Sequence, residues 1–295
     1  MRIPKIIHVV PRYQITDKPT IQRCERAWES WAWLYNTAGV VPAHIWDIER
    51  DSRSIGEPRV LPFVVDVFNK GIGHTIHTDD IIFFTNDDII IHPMALHEIR
   101  RHVMLYEAGT IRRVDINTRP GTKRSHLLPM LCEPPARFME LGIPHCGRDG
   151  FVFTVDWYLR HRNDIPDFII GAPFWDLWFA AYVRLQKGYR HQGINAYYDN
   201  MPGCEVADGI LIHEMHIGKW EHGTDEDRNR RPANAHNQKL FFKWCNEYWP
   251  DMTWEKVRQQ RFHLGAINRY RKLAEYVGYS TNELALNLQE TYELK

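Results

Sequence analysis

Two adjacent carboxylates, Asp87 and Asp88, follow an apolar run in the first third of the chain. That run, residues 81–84, is rich in β-branched and aromatic residues, which is typical of a strand buried on both faces of a sheet. Open α/β sheets place their ligands at the carboxyl ends of such strands. A hard divalent cation would stabilise the two acids there, because it is held by one or two carboxylates together with substrate phosphates. A simple Asn-Asp-Asp turn is the alternative, but the second apolar run at 89–91 favours the metal.

A second group of possible ligands, His213, Glu214, His216 and His222, follows the last predicted core strand. Residues three apart on a strand face opposite sides, so His213 and His216 share one metal only if the chain turns between them. The spacing also differs from the HExxH pattern of zinc proteases. A buried histidine and surface histidines without metal are the alternative. Beside the acidic strand, we predict that one of them is a ligand and prefer His216, because it lies in the loop.

A third candidate is Asp176, in the first turn of a predicted helix and flanked by Phe174, Trp175 and Trp178. The helix dipole alone favours an acid at that position. An aromatic, low-dielectric environment would also make the carboxylate more basic, which suits a general base. Both interpretations stay open from the residues, and we predict the base.

Apolar periodicity predicts the elements that position these residues. Strands are predicted at 6–10, 43–46, 81–84, 111–116, 150–154 and 210–212, and helices at 20–35, 61–69, 93–106, 133–141, 156–161 and from 171 onward. Residues 117–125 form a polar, basic loop that would serve as a lid or be an ordinary loop. The alternation of strand and helix predicts an α/β fold with a doubly wound, mostly parallel sheet flanked by helices. We predict a domain over 1–225 and a helical C-terminal appendage over 226–295.

Composition limits the classes of function. The chain has 295 residues, 44% of them hydrophobic, which is ordinary for a soluble globular protein. Its formal net charge of +0 provides no bulk field that would recruit nucleic acid or an anionic membrane. The five cysteines are scattered without a CxxC pair, which argues against a disulfide framework or zinc knuckle and for a reducing, cytoplasmic location. The first apolar run, at 6–10, is too short for a signal peptide or a membrane span.

Several short motifs resemble those of known sugar transferases. They are Ile3-Pro4-Lys5-Ile6-Ile7-His8, Ser30-Trp31, His44-Ile45-Trp46-Asp47 and Phe84-Thr85-Asn86-Asp87-Asp88-Ile89. The last of them resembles the DxD motif of the GT-A nucleotide-sugar glycosyltransferases, with Asn86 where the first acid of that motif would stand. The resemblance covers about residues 3–220 in the order of elements, and the helical tail matches no family. It implies a GT-A-like, Rossmann-type fold.

The resemblance also implies the cofactors and the roles of individual residues. Asp88 would hold Mn²⁺ or Mg²⁺, completed by His216 or His213, and the ion would bridge to the diphosphate of a nucleotide-sugar donor, with a UDP-sugar expected first. Asp176 would deprotonate the acceptor hydroxyl, and Asp149 would be a second candidate base or a contact to the donor sugar. The remaining donor contacts would come from the first strand, its loop and two further acids, namely His8, Arg12, Tyr13, Asp66 and Asp87. A plain surface acid is the alternative for Asp66.

The predicted function is therefore a metal-dependent glycosyltransferase of the hexosyltransferase type. One alternative is a metal-dependent phosphoesterase or nucleotidyltransferase that uses the same acids and histidines. Another is a non-catalytic protein that binds carbohydrate or nucleic acid, which Asn86 keeps open. The acceptor hydroxyl would belong to a glycan, a lipid, a protein or, with less support, a hydroxylated DNA base, and both inverting and retaining chemistry stay open.

Overall fold

The computed structural model describes residues 2–12, 18–37, 39–116, 131–189, 203–214 and 232–248. Within these ranges one sheet contains the strands β1 (Ile6–Pro11), β2 (Val40–Ile45), β3 (Ile81–Thr85), β4 (Ile89–Ile91), β5 (Ala108–Ile116), β6 (Ile143–Thr154) and β7 (Leu211–Glu214). The α-helices of the same ranges are α1 (Lys18–Thr37), α2 (Val64–Ile72), α3 (Ala95–Tyr106), α4 (Pro135–Leu141), α5 (Val155–His161), α6 (Trp175–Gln186) and α7 (Pro232–Tyr248). Each predicted strand and helix in these ranges is present with bounds shifted by up to about four residues, except β6, which begins at Ile143 and not at the predicted residue 150.

The sheet has the strand order β2-β1-β3-β6-β5-β7-β4. The pairs β1–β2, β1–β3 and β5–β7 are parallel, whereas β3–β6, β5–β6 and β4–β7 are antiparallel. The prediction of a mostly parallel sheet is therefore wrong, and the sheet is mixed. The physical reason is that β6 lies between β3 and β5 and runs opposite to both, and an apolar run has the same pattern in either direction.

The strand directions bring one end of most strands to a common edge. β1, β2 and β3 end there, and so do β5 and β7, which run parallel to them. β6 and β4 begin at this edge, because Gly150 pairs with Thr85 and Ile89 pairs with His213. We call this the site edge. Asp88, Asp149 and His213 therefore lie at the same edge although the sheet is mixed.

Alternate strand residues bury the two faces of the sheet in separate apolar clusters. Ile7 and Phe84 contribute to the cluster that contains side chains of α2, α5, α6 and α7. Ile6 and Phe83 contribute to the cluster that contains side chains of α1, α3 and α4. The fold is thus an α/β sandwich of a sheet between two helical layers.

α7 is the described part of the predicted helical appendage. Its Phe241, Trp244 and Cys245 are buried in the same cluster as sheet residues. The rest of the appendage, like the predicted lid, lies outside the described residues, and the boundary at 225 stays a prediction. None of the helices in the described ranges is both long and apolar enough to cross a membrane. Four cysteines in these ranges, Cys24, Cys132, Cys204 and Cys245, are free thiols.

Candidate functional site

His213, the penultimate residue of β7, lies between two carboxylates at the site edge. Its Nδ1 is 2.9 Å from Asp115 Oδ1 on β5, and its Nε2 is 3.4 Å from Asp88 Oδ2 in the β3–β4 turn. Burial is the largest effect on the pKa of His213 and lowers it, as does Arg113, but the two carboxylates outweigh them and raise that pKa to about 9. The ring is therefore a cation that donates a hydrogen bond to Asp115 and forms an ion pair with Asp88.

A second polar group at the site edge centres on Asp149 of β6. Asn86 Nδ2 donates a hydrogen bond to Asp149 Oδ1 at 2.8 Å, and Arg113 Nη1 donates to Asp149 Oδ2 at 3.0 Å. Arg113 Nε also lies 2.8 Å from Asp115 Oδ1, an ion-pair contact in which the N–H is not directed at the oxygen. Both oxygens of Asp149 are thus engaged, and a role as base would require the release of one of them.

Asp87 and Arg12 form a third polar group, which is buried and incompletely hydrogen-bonded. Asp87 is 7% exposed and Arg12 is 6% exposed. Asp87 Oδ2, Arg12 Nε and Arg12 Nη1 have no hydrogen-bond partner among the described residues. Burial, followed by the charge of Asp88, raises the pKa of Asp87 to about 7, while Arg12 opposes the shift. Buried polar atoms without partners are rare in folded proteins and indicate a place for water, an ion or a ligand.

Aromatic rings surround the Arg12 guanidinium. Its central carbon lies 3.9 Å from the ring centroid of Trp28 and 5.3 and 5.5 Å from those of Trp31 and Trp46. These distances are typical of cation–π contacts, which hold a guanidinium in place without using its N–H groups. Trp46 is itself largely exposed. The arrangement leaves the donors of Arg12 for a ligand.

His8, predicted to contact the nucleotide, is fully buried within the fold. Its Nε2 is 2.8 Å from Thr85 Oγ1, and its Nδ1 is 2.8 Å from the Tyr35 hydroxyl, which is 3.1 Å from His44 Nε2. Burial, together with the charges of His44 and Arg12, lowers the pKa of His8 well below its usual range. The neutral ring therefore holds the last residue of β3, Thr85, by a buried hydrogen bond. A direct nucleotide contact of His8 would require one of its two hydrogen bonds to break.

The other predicted residues are placed as follows. Asp66 of α2 is paired with Arg50 at 2.9 Å, and its nucleotide contact stays a prediction. Asp176 lies in the first turn of α6 as predicted, next to Trp175, whose ring packs 4.7 Å from that of Phe151 on β6. Its role as base also stays a prediction. Tyr13, His216 and His222 lie outside the described residues.

The sequence reasoning missed several residues of the site. Arg113 and Asp115 alternate on β5, so their side chains share one face of the strand. The available signal was the alternation of opposite charges, Arg113 and Asp115, in the second half of a predicted strand. Trp46 belongs to one of the motifs quoted above, but no local signal linked Trp28 or Trp46 to Arg12. Glu214 was noted only as a possible ligand, and it forms an ion pair with Arg26 of α1.

The residues present fit a divalent cation, although the described ranges contain no group of three or more His, Cys, Asp or Glu side chains that could hold a metal. Asp88 and His213 provide two ligands that already face each other. Asp115 accepts from Nδ1 of His213, the supporting contact that metal-binding histidines have. A cation would displace the proton on Nε2, because only the neutral ring has a lone pair for the metal. Magnesium-type sites commonly take their remaining ligands from water and substrate phosphates.

Comparison with known proteins gives no family for the chain. No protein-family model matches it, and no curated protein matches it. Two crystal structures of residues 1–349 of S. aureus TarS are similar to it at 10% sequence identity. One covers 92% of this chain and 80% of that chain with a TM-score of 0.35. The other, in complex with UDP-GlcNAc, covers 90% and 79% with a TM-score of 0.38.

Proposed function

We propose that this protein is a glycosyltransferase that moves a sugar from a nucleotide-diphosphate sugar, a UDP-sugar first, to an acceptor hydroxyl. The observation that carries the proposal is the pair formed by Asp88 and His213 at the site edge, with Asp115 behind the histidine. The pair lies where α/β sheets bind nucleotides, and its neighbours Arg12 and Asp87 have buried polar atoms without partners in the described part of the chain.

Asp88 and His213 would hold Mn²⁺ or Mg²⁺, with His216 as a further candidate ligand. The cation supplies charge neutralisation of the diphosphate leaving group when it is bound. Arg12 would donate to the nucleotide from its aromatic surroundings. His8, Tyr13, Asp66 and Asp87 are the other proposed contacts to the nucleotide-sugar donor. Asp66 would bind the donor beside its present partner Arg50, and His8 would have to give up its hydrogen bond with Thr85 or Tyr35.

Asp176 would accept the proton of the acceptor hydroxyl, which makes the oxygen a better nucleophile. Its helix, α6, packs against the strand that carries Asp149, since Trp175 contacts Phe151. Asn86 and Arg113 hold Asp149 in a fixed orientation, which suits a contact to the donor sugar. Asp149 is the second candidate for the base.

Thermal unfolding with UDP, GDP or ADP, each with and without Mn²⁺, tests the proposal. A ligand that binds only the folded state stabilises it by about 2.7 kcal/mol at a hundredfold excess over Kd. We expect such stabilisation with one nucleotide only when Mn²⁺ is present, and its loss in Asp88→Asn and His213→Gln. Asp79→Asn is the matched control, because Asp79 is an exposed acid at the opposite end of β3. Equal stabilisation of all three variants would refute the proposed site.

The reaction type needs a second assay, because Asp88 and His213 would also suit phosphoester hydrolysis. The protein should be incubated with the sugar conjugate of the nucleotide that stabilises it. We expect it to release the nucleoside diphosphate and to transfer the sugar to an acceptor hydroxyl. Mn²⁺-dependent cleavage of a phosphodiester without sugar transfer would favour the phosphoesterase instead, and binding without turnover would favour a binding protein. Glycans, lipids, proteins and hydroxymethylated DNA are the acceptors to compare. The reducing, cytoplasmic location stays a prediction from the scattered cysteines of the sequence.

A further inference from the structure

Asn237 of α7 forms hydrogen bonds with the chain segment that leads into α6, residues 167–174. It is 0% exposed. Its Oδ1 accepts a hydrogen bond from Ile169 N at 2.8 Å, and its Nδ2 donates to Ile169 O at 2.8 Å and to Pro173 O at 3.0 Å, with Ala172 O at 3.4 Å. Buried backbone groups need partners. The side-chain amide thus supplies, on one side of the segment, the pairing that a neighbouring strand would provide.

The other side of the same segment is fixed by the chain that precedes α2. Phe168 O accepts from Val64 N at 2.8 Å, and Ile170 N donates to Pro62 O at 2.9 Å. The last of these backbone hydrogen bonds is at Ile170. Between Ile170 and the start of α6, Asn237 Nδ2 donates the hydrogen bonds to Ala172 O and Pro173 O.

The segment ends in a strained residue. Phe174 has φ +84°, a left-handed conformation that is rare for a bulky residue. Such strain persists only where the surroundings hold it, and it is often found at functional sites. The Phe174 ring packs against Phe241 and Phe242 of α7 at centroid distances of 5.4 and 6.1 Å. α7 therefore holds both the turn and the ring beside it.

Asp176 follows this turn directly. Phe174 O accepts from Trp178 N at 2.9 Å, so the strained residue closes the first turn of α6, the turn that carries Asp176. We propose that Asn237 is a positioning residue for Asp176: it fixes the turn at Pro173 and Phe174, and thereby the direction in which α6 presents the base. This inference rests on the proposed function, and it makes α7 part of the catalytic apparatus.

The test compares Asn237→Asp with His236→Ala. Asn237→Asp keeps the acceptor for Ile169 N and removes the donor to Ile169 O and Pro173 O. His236 donates to Asp167 O at 2.7 Å, so His236→Ala loosens the start of the same segment without touching the turn. We expect kcat of sugar transfer to fall about ten- to hundredfold in Asn237→Asp, as for other misplaced catalytic groups. The KM for the donor and the stabilisation by nucleotide with Mn²⁺ should change less than threefold, and His236→Ala should keep its kcat.

A double variant separates positioning from a general loss of structure. If Asn237 acts through Asp176, Asn237→Asp should cause no further loss of kcat in an Asp176→Asn background, because the two effects are not additive. An equal loss in both backgrounds, or an unchanged kcat in Asn237→Asp, would overturn the inference while the proposed function stands. A wild-type protein that transfers no sugar would overturn both.

Phe174→Gly provides a second route to the same question if Asn237→Asp does not fold. Glycine adopts the left-handed conformation without strain, but it removes the ring that anchors the turn to α7. The same non-additivity with Asp176→Asn is expected. Additive losses in this pair would also refute the inference. Val103→Ala, a buried truncation in α3 on the other face of the sheet, controls for a lower melting temperature alone.

Discussion

Replacing Asn86 by aspartate is expected to destabilise the protein, although it would complete the acidic DxD pattern. Asn86 Nδ2 donates to Asp149 Oδ1 at 2.8 Å, and Asp149 is 8% exposed. In Asn86→Asp the donor becomes a second acceptor, so two carboxylates would lie in contact. The resemblance to the family motif predicts a neutral or helpful change at this position, whereas the structure predicts a harmful one.

The size of the effect follows from two contributions. A hydrogen bond to a charged acceptor contributes about 1.5–3 kcal/mol. Two unit charges 4 Å apart repel by about 4 kcal/mol at an effective dielectric constant of 20. Arg113, which binds the other oxygen of Asp149, and rotation of the partly exposed new side chain offset part of this repulsion. We expect Asn86→Ala to lower the free energy of unfolding by about 1–2 kcal/mol and Asn86→Asp by about 3–4 kcal/mol.

Urea unfolding at pH 7.5 in EDTA measures these free energies, because without a cation the two charges are not shielded. The double variant Asn86→Asp/Asp149→Asn exchanges donor and acceptor, so it should recover at least half of the loss seen in Asn86→Asp. If Asn86→Asp were as stable as Asn86→Ala, or if the double variant recovered nothing, the contact would not determine stability and the reasoning would be wrong.

Two further predictions concern pH and the entry to β7. Burial lowers the pKa of His44 to about 4. The unfolded chain therefore binds the proton first, and stability is lost as pH falls from about 6.5 towards 4, by up to about 2 kcal/mol at pH 5. His44→Gln should flatten this slope in urea titrations, and exposed His97→Gln should not. A Cβ at Gly209 (φ +78°) would lie 2.2 Å from Pro135 O, whereas one at Gly39 (φ +64°) meets nothing within 4 Å. Gly39→Ala should cost about 1 kcal/mol and Gly209→Ala clearly more, and equal costs would contradict the close approach.

The elements of the fold were predictable because their signals are local. The apolar stripe of α1 and the apolar run of β3 follow from side-chain periodicity within a few turns or residues. The direction of β6 was not predictable in this way. It depends on which neighbours the strand finds, and β6 pairs with β3 and β5, both distant along the chain.

The site was predictable to a similar extent. Asp88 and His213 were identified as candidates, because each follows or ends an apolar strand near the carboxyl edge. Asp115, which orients His213, lies 98 residues away from it in sequence, and only the sheet register joins them. His8 and Asp66 show the reverse case. Their positions predicted a ligand, but the fold supplies each with an internal partner, Thr85 and Arg50.

The charges at the site edge argue for a ligand that carries both signs. Arg113 and His213 each contact two carboxylates, so they neutralise much of the acidic group within the fold. Arg12 and Asp87 keep buried polar atoms without partners in the described ranges, one donor group and one acceptor. A free phosphate would satisfy only Arg12, and a free cation would satisfy only Asp87. A diphosphate with its metal would satisfy both, which is why nucleotide and Mn²⁺ together, and neither alone, should raise the unfolding temperature strongly.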